Sequence, residues 1–275
     1  MKQENAVEDS ASVTQSITQL FSAMNMPMLA DVKLYLGISY SILKEFHNAL
    51  QTHYDDEEKK RFHNRLRYAG ITKERSENVF QWDENTYPFV APGIIEEALS
   101  INFVREGKNL IIVGPSGTGK TLLSIIISCK ILRQGLSVKY KTSHNLSVEL
   151  KEAKAGNSLS GCIKKLQSCD VLVMDDLTFA TFDSKTAQSF HAVIDSRYAR
   201  RKTIIITANS SIKEWMERFP DKTMRSAILG RFYEDALLIN MNGAEDVRFE
   251  RAKLTMNNTS QDSVAKPDDK EKCEK

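Results

Sequence analysis

Residues 110–121 read LIIVGPSGTGKT, an apolar run, a glycine-rich turn and then Lys-Thr at the head of a helix-forming stretch that Gly135 closes. No other segment restricts the fold so tightly. Gly114, Pro115, Ser116, Gly117, Thr118, Gly119, Lys120 and Thr121 satisfy the G-x-x-x-x-G-K-[ST] pattern in the strand–loop–helix context it requires. Glycines let the backbone curl until several N–H groups face one anion, and the following helix turns the positive end of its dipole to the same place. Lys120 can then reach β- and γ-phosphates, while the Thr121 hydroxyl can serve a Mg²⁺ ion. Such a loop needs a sheet behind it.

From Asn109 onward the chain supplies one. Short apolar runs at 110–113, 138–140, 171–174, 204–206 and 237–239 alternate with helix-length stretches at 121–134, 143–167, 183–200 and 211–232. Ser211 with Glu214 forms an S-x-x-E capping box at the start of the last of these. Strands alternating with helices imply an α/β fold with a largely parallel sheet. Residues 17–80 read as a small helical region, with Leu34, Ile38, Ile42 and Phe46 at helical spacing and Gly70 as a stop. Residues 1–16 and 255–275 are polar and are expected to be disordered. That leaves 81–254 as the nucleotide-binding domain, entered through a linker and the short helix IIEEALSINFV.

Two acids follow the strand Val171-Leu-Val-Met. Asp175 ends the buried run where it can hold Mg²⁺, and Asp176 follows where it can polarise an attacking water. The strand Thr203-Ile-Ile-Ile-Thr207-Ala-Asn209 ends in a polar residue able to hold the same water; Asn209 is the first choice and Thr207 the second. The four cysteines are scattered, so buried packing in a reduced cytosol is the simple expectation, and His191 with Asp195 offers too few ligands for a metal site. No run of about 18 apolar residues is present and the polar, acidic N-terminus does not suit a secretory signal, so no membrane association is expected.

The order of phosphate loop, acidic strand end, Asn-ended strand and late arginine resembles the AAA+ ATPases. More closely, residues from about 30 to 254 resemble the IstB-like helper ATPases of bacterial insertion sequences, relatives of the helicase loader DnaC. The segments NLIIVGPSGTGKTLLSI, VLVMDDLTF, TIIITANSSIKEW and SAILGRFYEDALLINMNG carry the likeness, with RLRYAGI and FQWDENTYPF in support. The resemblance implies an AAA+ domain behind a small helical domain, with ATP and Mg²⁺ as cofactors. It implies Lys120 and Thr121 as Walker A residues, Asp175 as the metal ligand, Asp176 as catalytic base and Asn209 as sensor. It also implies Arg231 as a finger reaching a neighbouring subunit's γ-phosphate, with Arg225 as the competing candidate. Most members carry Glu where Asp176 stands; Asp is one methylene shorter, which implies slower hydrolysis. The segment Phe80–Trp82 resembles a stretch near adenine, with core packing as the alternative, and Arg248 resembles a lid arginine only weakly.

A trans finger implies an ATP-dependent ring or helical homo-oligomer. The family also implies assembly on duplex DNA without sequence preference, and a transposase partner in the bacterial cytoplasm. Total charge says little about DNA, because 38 Lys and Arg stand against 36 Asp and Glu, a net of +2. Locally, Lys59, Lys60, Arg61, Arg65, Arg67, Lys73 and Arg75 face Glu74 alone over 59–75, a charge of +6. Such a face can neutralise phosphates without reading bases, although a solvated helix surface is the usual meaning of a charge run. Lys151 and Lys154 are further candidates, and Arg197, Arg200, Arg201 and Lys202 either add to them or serve a helix C-terminus. The readings left open are a transposition helper, a DnaC-like helicase loader, an ATP-dependent scaffold with little turnover and, least favoured, a small-molecule phosphotransferase.

Overall fold

The computed structural model describes residues 2–77, 87, 89–91, 93–177, 183–209, 214, 217 and 219–244. Phe80–Trp82, Ser211, Arg248 and the tail at 255–275 therefore lie outside the described residues. The chain divides into two compact units, Met1–Arg65 and Leu66–Lys275.

The first unit holds helix α1 (Lys2–Ala23), two 3₁₀ turns and the greater part of α2 (Tyr40–Ala69). Residues 1–16, expected to be disordered, instead contribute most of α1. Val13, Ile17, Leu20 and Phe21 lie at i, i+4, i+7 and i+8, and this stripe packs with Tyr35, Leu43 and Leu50 into a small core. Packing against α1 also rotates the inward face of α2 from the one expected from spacing, keeping only Phe46 at its edge. Ile42 is 60% exposed, Leu34 falls in a 3₁₀ turn, and the positions of α2 buried in this unit are Leu43 and Leu50, one heptad apart, with the half-exposed Phe46 ring at the edge, 6.1 and 6.4 Å from the rings of Phe21 and Tyr35.

The second unit is a five-stranded, wholly parallel sheet of β1 (Leu110–Val113), β2 (Val138–Thr142), β3 (Val171–Asp175), β4 (Thr203–Ala208) and β5 (Leu237–Asn240). The spatial order is β2-β3-β4-β1-β5. Around it lie α3 (Lys73–Ser76), α4 (Ile94–Ser100), α5 (Asn102–Glu106), α6 (Lys120–Arg133), α7 (Ser143–Ala155), α8 (Leu159–Ser168), α9 (Ser184–Ala199) and α10 (Lys222–Tyr233). Every residue of β3 and β4 is buried, as expected of a sheet covered on both faces. Phe190, Ile194, Ile228 and Phe232 from α9 and α10 join Leu172, Met174, Ile204 and Ile206 in the larger core.

Two helices expected to be continuous are broken. The stretch 143–167 divides into α7 and α8 at Gly156-Asn157-Ser158, where Asn157 takes φ +54° and the Ser158 N–H returns to the Ala153 carbonyl at 2.8 Å. The helix at 94–104 divides at Ile101, φ +58°. The unit division after Arg65 also precedes the boundary expected at 80/81. Residues 66–76 cover the edge strand β2, with Lys139 Nζ donating to the Tyr68 carbonyl at 2.6 Å and Arg75 lying over the Tyr140 ring at 5.8 Å. An uncovered parallel edge would leave unpaired backbone groups.

Candidate functional site

All five strands point the same way, so their C-terminal ends share one rim, and chain crossing makes that rim the expected ligand crevice. The phosphate loop leaves β1 there. Gly114 is required by packing: a Cβ at this position would lie 2.8 Å from Met241 Cβ. Gly119, at φ +89°, turns the chain into α6, so that Lys120 and Thr121 open the helix. Lys120 Nζ and Thr118 Oγ1 both donate to the Pro115 carbonyl, at 2.6 and 3.0 Å, which folds the loop over its own centre. Tyr87 donates to the Thr118 carbonyl at 3.1 Å and braces the loop from outside. Phe80–Trp82, expected near adenine or in the core, lies outside the described residues; Tyr87, beside Pro88, is the aromatic residue that the described residues bring to the loop.

The neighbouring strand ends complete the site. Asp175 Oδ1 accepts from Thr121 Oγ1 at 2.9 Å and from Thr207 Oγ1 at 2.6 Å. Thr207 Oγ1 in turn accepts the Asp176 N–H at 2.9 Å, and Asn209 Nδ2 donates to Asp176 Oδ1 at 3.1 Å. Residues 121, 175, 176, 207 and 209, separated by up to 88 positions, thus form one hydrogen-bonded chain from the start of α6 across the ends of β3 and β4. Asn209 and Thr207, offered as alternatives, are both present with different tasks: Thr207 ties the two acids together, and Asn209 reaches the outer one. Asp176 sits at φ +60°, which turns its side chain away from the buried strand direction. Burial, and then the charge of Asp175, push the Asp176 carboxyl above the ordinary carboxylate range, with Lys120 pulling partly back. That is the direction wanted in a general base. Tyr140, buried beneath the site, pairs with Ser124 at 3.3 Å, and burial together with Asp175 holds its phenol neutral. The oxygen set of Thr121 and Asp175 suits a hard divalent cation such as Mg²⁺.

The basic residues separate by environment. Arg197 is fully buried and donates to the carbonyls of Leu166, Cys169, Asp170 and Thr203 at 2.6–3.0 Å. It is a structural pin rather than part of a basic surface, and burial lowers its pKa. Lys202 is paired with Asp170 at 2.5 Å. On α2 the acids at 55–58, left out of the +6 window, sit one turn from the bases. Lys59, Lys60 and Arg61 pair with Asp56, Glu57 and Glu58 at 3.4, 2.8 and 2.9 Å, and Arg65 stands 4.0 Å from Glu58. Arg67, Lys151 and Lys154 are exposed.

Arg231 lies at the opposite rim. Asn109, directly before β1, donates to the Arg231 carbonyl at 2.8 Å, so the length of β1, about 13 Å, separates this residue from its own phosphate loop. Arg225 instead donates to the Glu217 and Phe219 carbonyls at 3.0 and 3.2 Å and ties down the chain entering α10. Among the described residues, no cluster of His, Cys, Asp or Glu could hold a metal ion, and no helix is long and apolar enough to cross a membrane.

A family model described as IstB-like ATP binding protein matches residues 32–254. The chain belongs to this family. It is 28% identical over 223 residues to the insertion sequence IS21 putative ATP-binding protein of Pseudomonas aeruginosa, covering 79% of this chain and 83% of that protein. It is 31% identical over 165 residues to the IS232 putative ATP-binding protein of Bacillus thuringiensis subsp. berliner, covering 60% and 66%. Among solved structures, DnaI superposes with a TM-score of 0.52 at 20% identity, over 62% of this chain and 94% of that one. DnaA bound to AMPPCP and single-stranded DNA gives 0.52 at 19% identity, over 69% and 56%. These likenesses support the AAA+ fold of the second unit.

Proposed function

We propose that this IstB-like protein is a Mg²⁺-dependent ATPase that assembles on duplex DNA as a homo-oligomer and assists a transposase. The observation that carries the ATPase reading is the hydrogen-bonded chain Thr121–Asp175–Thr207–Asp176–Asn209 at the mouth of the phosphate loop. Loop N–H groups and Lys120 bind the β- and γ-phosphates. Thr121 and Asp175 are placed to hold Mg²⁺, which when bound neutralises charge on the phosphates. Asp176 takes a proton from the attacking water, and Asn209 orients that carboxylate. Arg231, out of reach of its own loop, serves the γ-phosphate of a neighbouring subunit. The transposase partner is supported by the insertion-sequence names of the relatives, and DNA binding by the exposed Arg67, Lys151 and Lys154.

Hydrolysis by the purified protein, measured with and without duplex DNA, tests the reading. We expect DNA-stimulated phosphate release that is lost in Lys120→Ala. Stimulation by single-stranded DNA alone would favour a helicase-loader role. ATP-dependent assembly on DNA without phosphate release would leave a scaffold, for which the short Asp176 is the favouring feature. A protein that neither assembles nor hydrolyses would refute the proposal.

A further inference from the structure

Arg231 is not a loose surface arginine. Its Nη2 meets Asp195 Oδ1 at 2.5 Å, its Nη1 lies 3.3 Å from His191 Nε2, and its guanidinium carbon stands 5.6 Å from the centre of the Tyr198 ring. Residues 191, 195 and 198 follow i, i+4, i+7 spacing and so form one face of α9. Guanidinium groups only donate, so in this contact His191 Nε2 is the acceptor. Tyr198 is itself fixed by its hydroxyl, which donates to Glu234 at 2.7 Å. The backbone at Arg231 is fixed separately, through Asn109. Only 22% of the Arg231 side chain is exposed, and it borders a cleft of about 530 Å³ that Lys108, Arg201 and Lys202 also line. His191 and Asp195, too few to capture a metal, have a different use as a pair.

We propose that Asp195, with His191 and Tyr198, is a positioning residue that presets the Arg231 guanidinium for the γ-phosphate of the neighbouring subunit. Two of its N–H groups are used on α9, which fixes the fork in one orientation. A flexible arginine would lose that orientation on every encounter. This inference rests on the trans-finger reading above.

Single-turnover and steady-state ATP hydrolysis of Arg231→Ala, Asp195→Ala, Asp195→Glu and the Asp195→Ala/Arg231→Ala double variant separate the possibilities. Arg231→Ala should lower kcat by about 10³-fold or more. Asp195→Ala should lower kcat by about 10–100-fold with little change in KM, as expected of a misplaced catalytic group. Asp195→Glu should recover part of that loss. The double variant should be no slower than Arg231→Ala, because Asp195 acts only through the arginine. Mixing Asp195→Ala with Lys120→Ala should restore activity: the first subunit keeps an intact ATP site and the second offers a correctly held arginine. A folding defect in Asp195→Ala would not be rescued this way. If Arg231→Ala is fully active, the finger reading fails and this inference with it. If Arg231→Ala is slow but Asp195→Ala is unchanged or faster, or the double variant is additively slower, only the positioning role is overturned; a faster Asp195→Ala would identify Asp195 as a restraint on the finger instead.

Discussion

Asp176 combines three residue-scale properties: a positive φ, a raised carboxyl pKa and a bond from Asn209. A folded-state pKa above the unfolded one favours the protonated form in the fold. That contribution is complete below the unfolded value and is lost as pH rises through the folded one, so at neutral pH the ionised group costs stability. Asp176→Asn removes the cost, and Asn tolerates the left-handed backbone nearly as well. The expected result is a higher melting temperature at pH 7, a difference that disappears in acid. Phosphate release should fall by about 10²–10⁴-fold while nucleotide binding persists. Thr207→Val is the opposite case. Shape is kept, but Asp175 loses a donor and the Asp176 N–H loses its acceptor, so stability should fall by about 1–3 kcal/mol in urea titration. Sequence reasoning could name both residues as site candidates; it could not tell that Thr207 serves the acids rather than the water.

At the scale of elements, the starts of β2, β3 and β4 are laced together by Ser137, Asp170, Lys202 and Arg197. Burial works against ionisation of Asp170, but the Lys202 bond and the Ser137 N–H and hydroxyl outweigh it and bring the pKa to about 2. A depressed carboxylate pKa gives stability that is present above the unfolded value and is lost as pH falls through the folded one. The melting temperature of Asp170→Asn should therefore lie below that of the parent at pH 7, and the gap should close as pH falls from the ordinary carboxylate range towards about 2. Arg197→Leu leaves four carbonyls at the ends of α8, β3 and β4 without their donor, and a loss of about 2–5 kcal/mol is expected by urea unfolding. The charge run around Arg197 concealed this role, because a buried arginine and a surface arginine look alike in sequence.

For the whole molecule, the proposed DNA contact depends on which cations are left out of ion pairs. Seven bases over 59–75 suggest a strong patch, but five of them stand in ion pairs: Lys59, Lys60, Arg61 and Arg65 with Asp56, Glu57 and Glu58, and Lys73 with Glu77. Substituting Lys59 or Lys60 by Ala should therefore change duplex affinity less than substituting Lys151 or Lys154. Only the latter pair should flatten the dependence of log affinity on log salt, by about 0.9 for each DNA phosphate left unneutralised. Fluorescence anisotropy over a salt series with ATP present measures both.

The segment LIIVGPSGTGKT and the recurring apolar runs were enough to establish a parallel α/β domain, its phosphate loop and the candidate acids. Short-range patterns suffice for these because strand burial and loop curvature are local demands. The helix α1, the break at 156–158, the pinning role of Arg197 and the holding of Arg231 by α9 were decided by the tertiary structure. Each depends on a partner distant in sequence: an apolar stripe needs the helix it faces, and a charged side chain takes its meaning from whether carbonyls, carboxylates or water surround it.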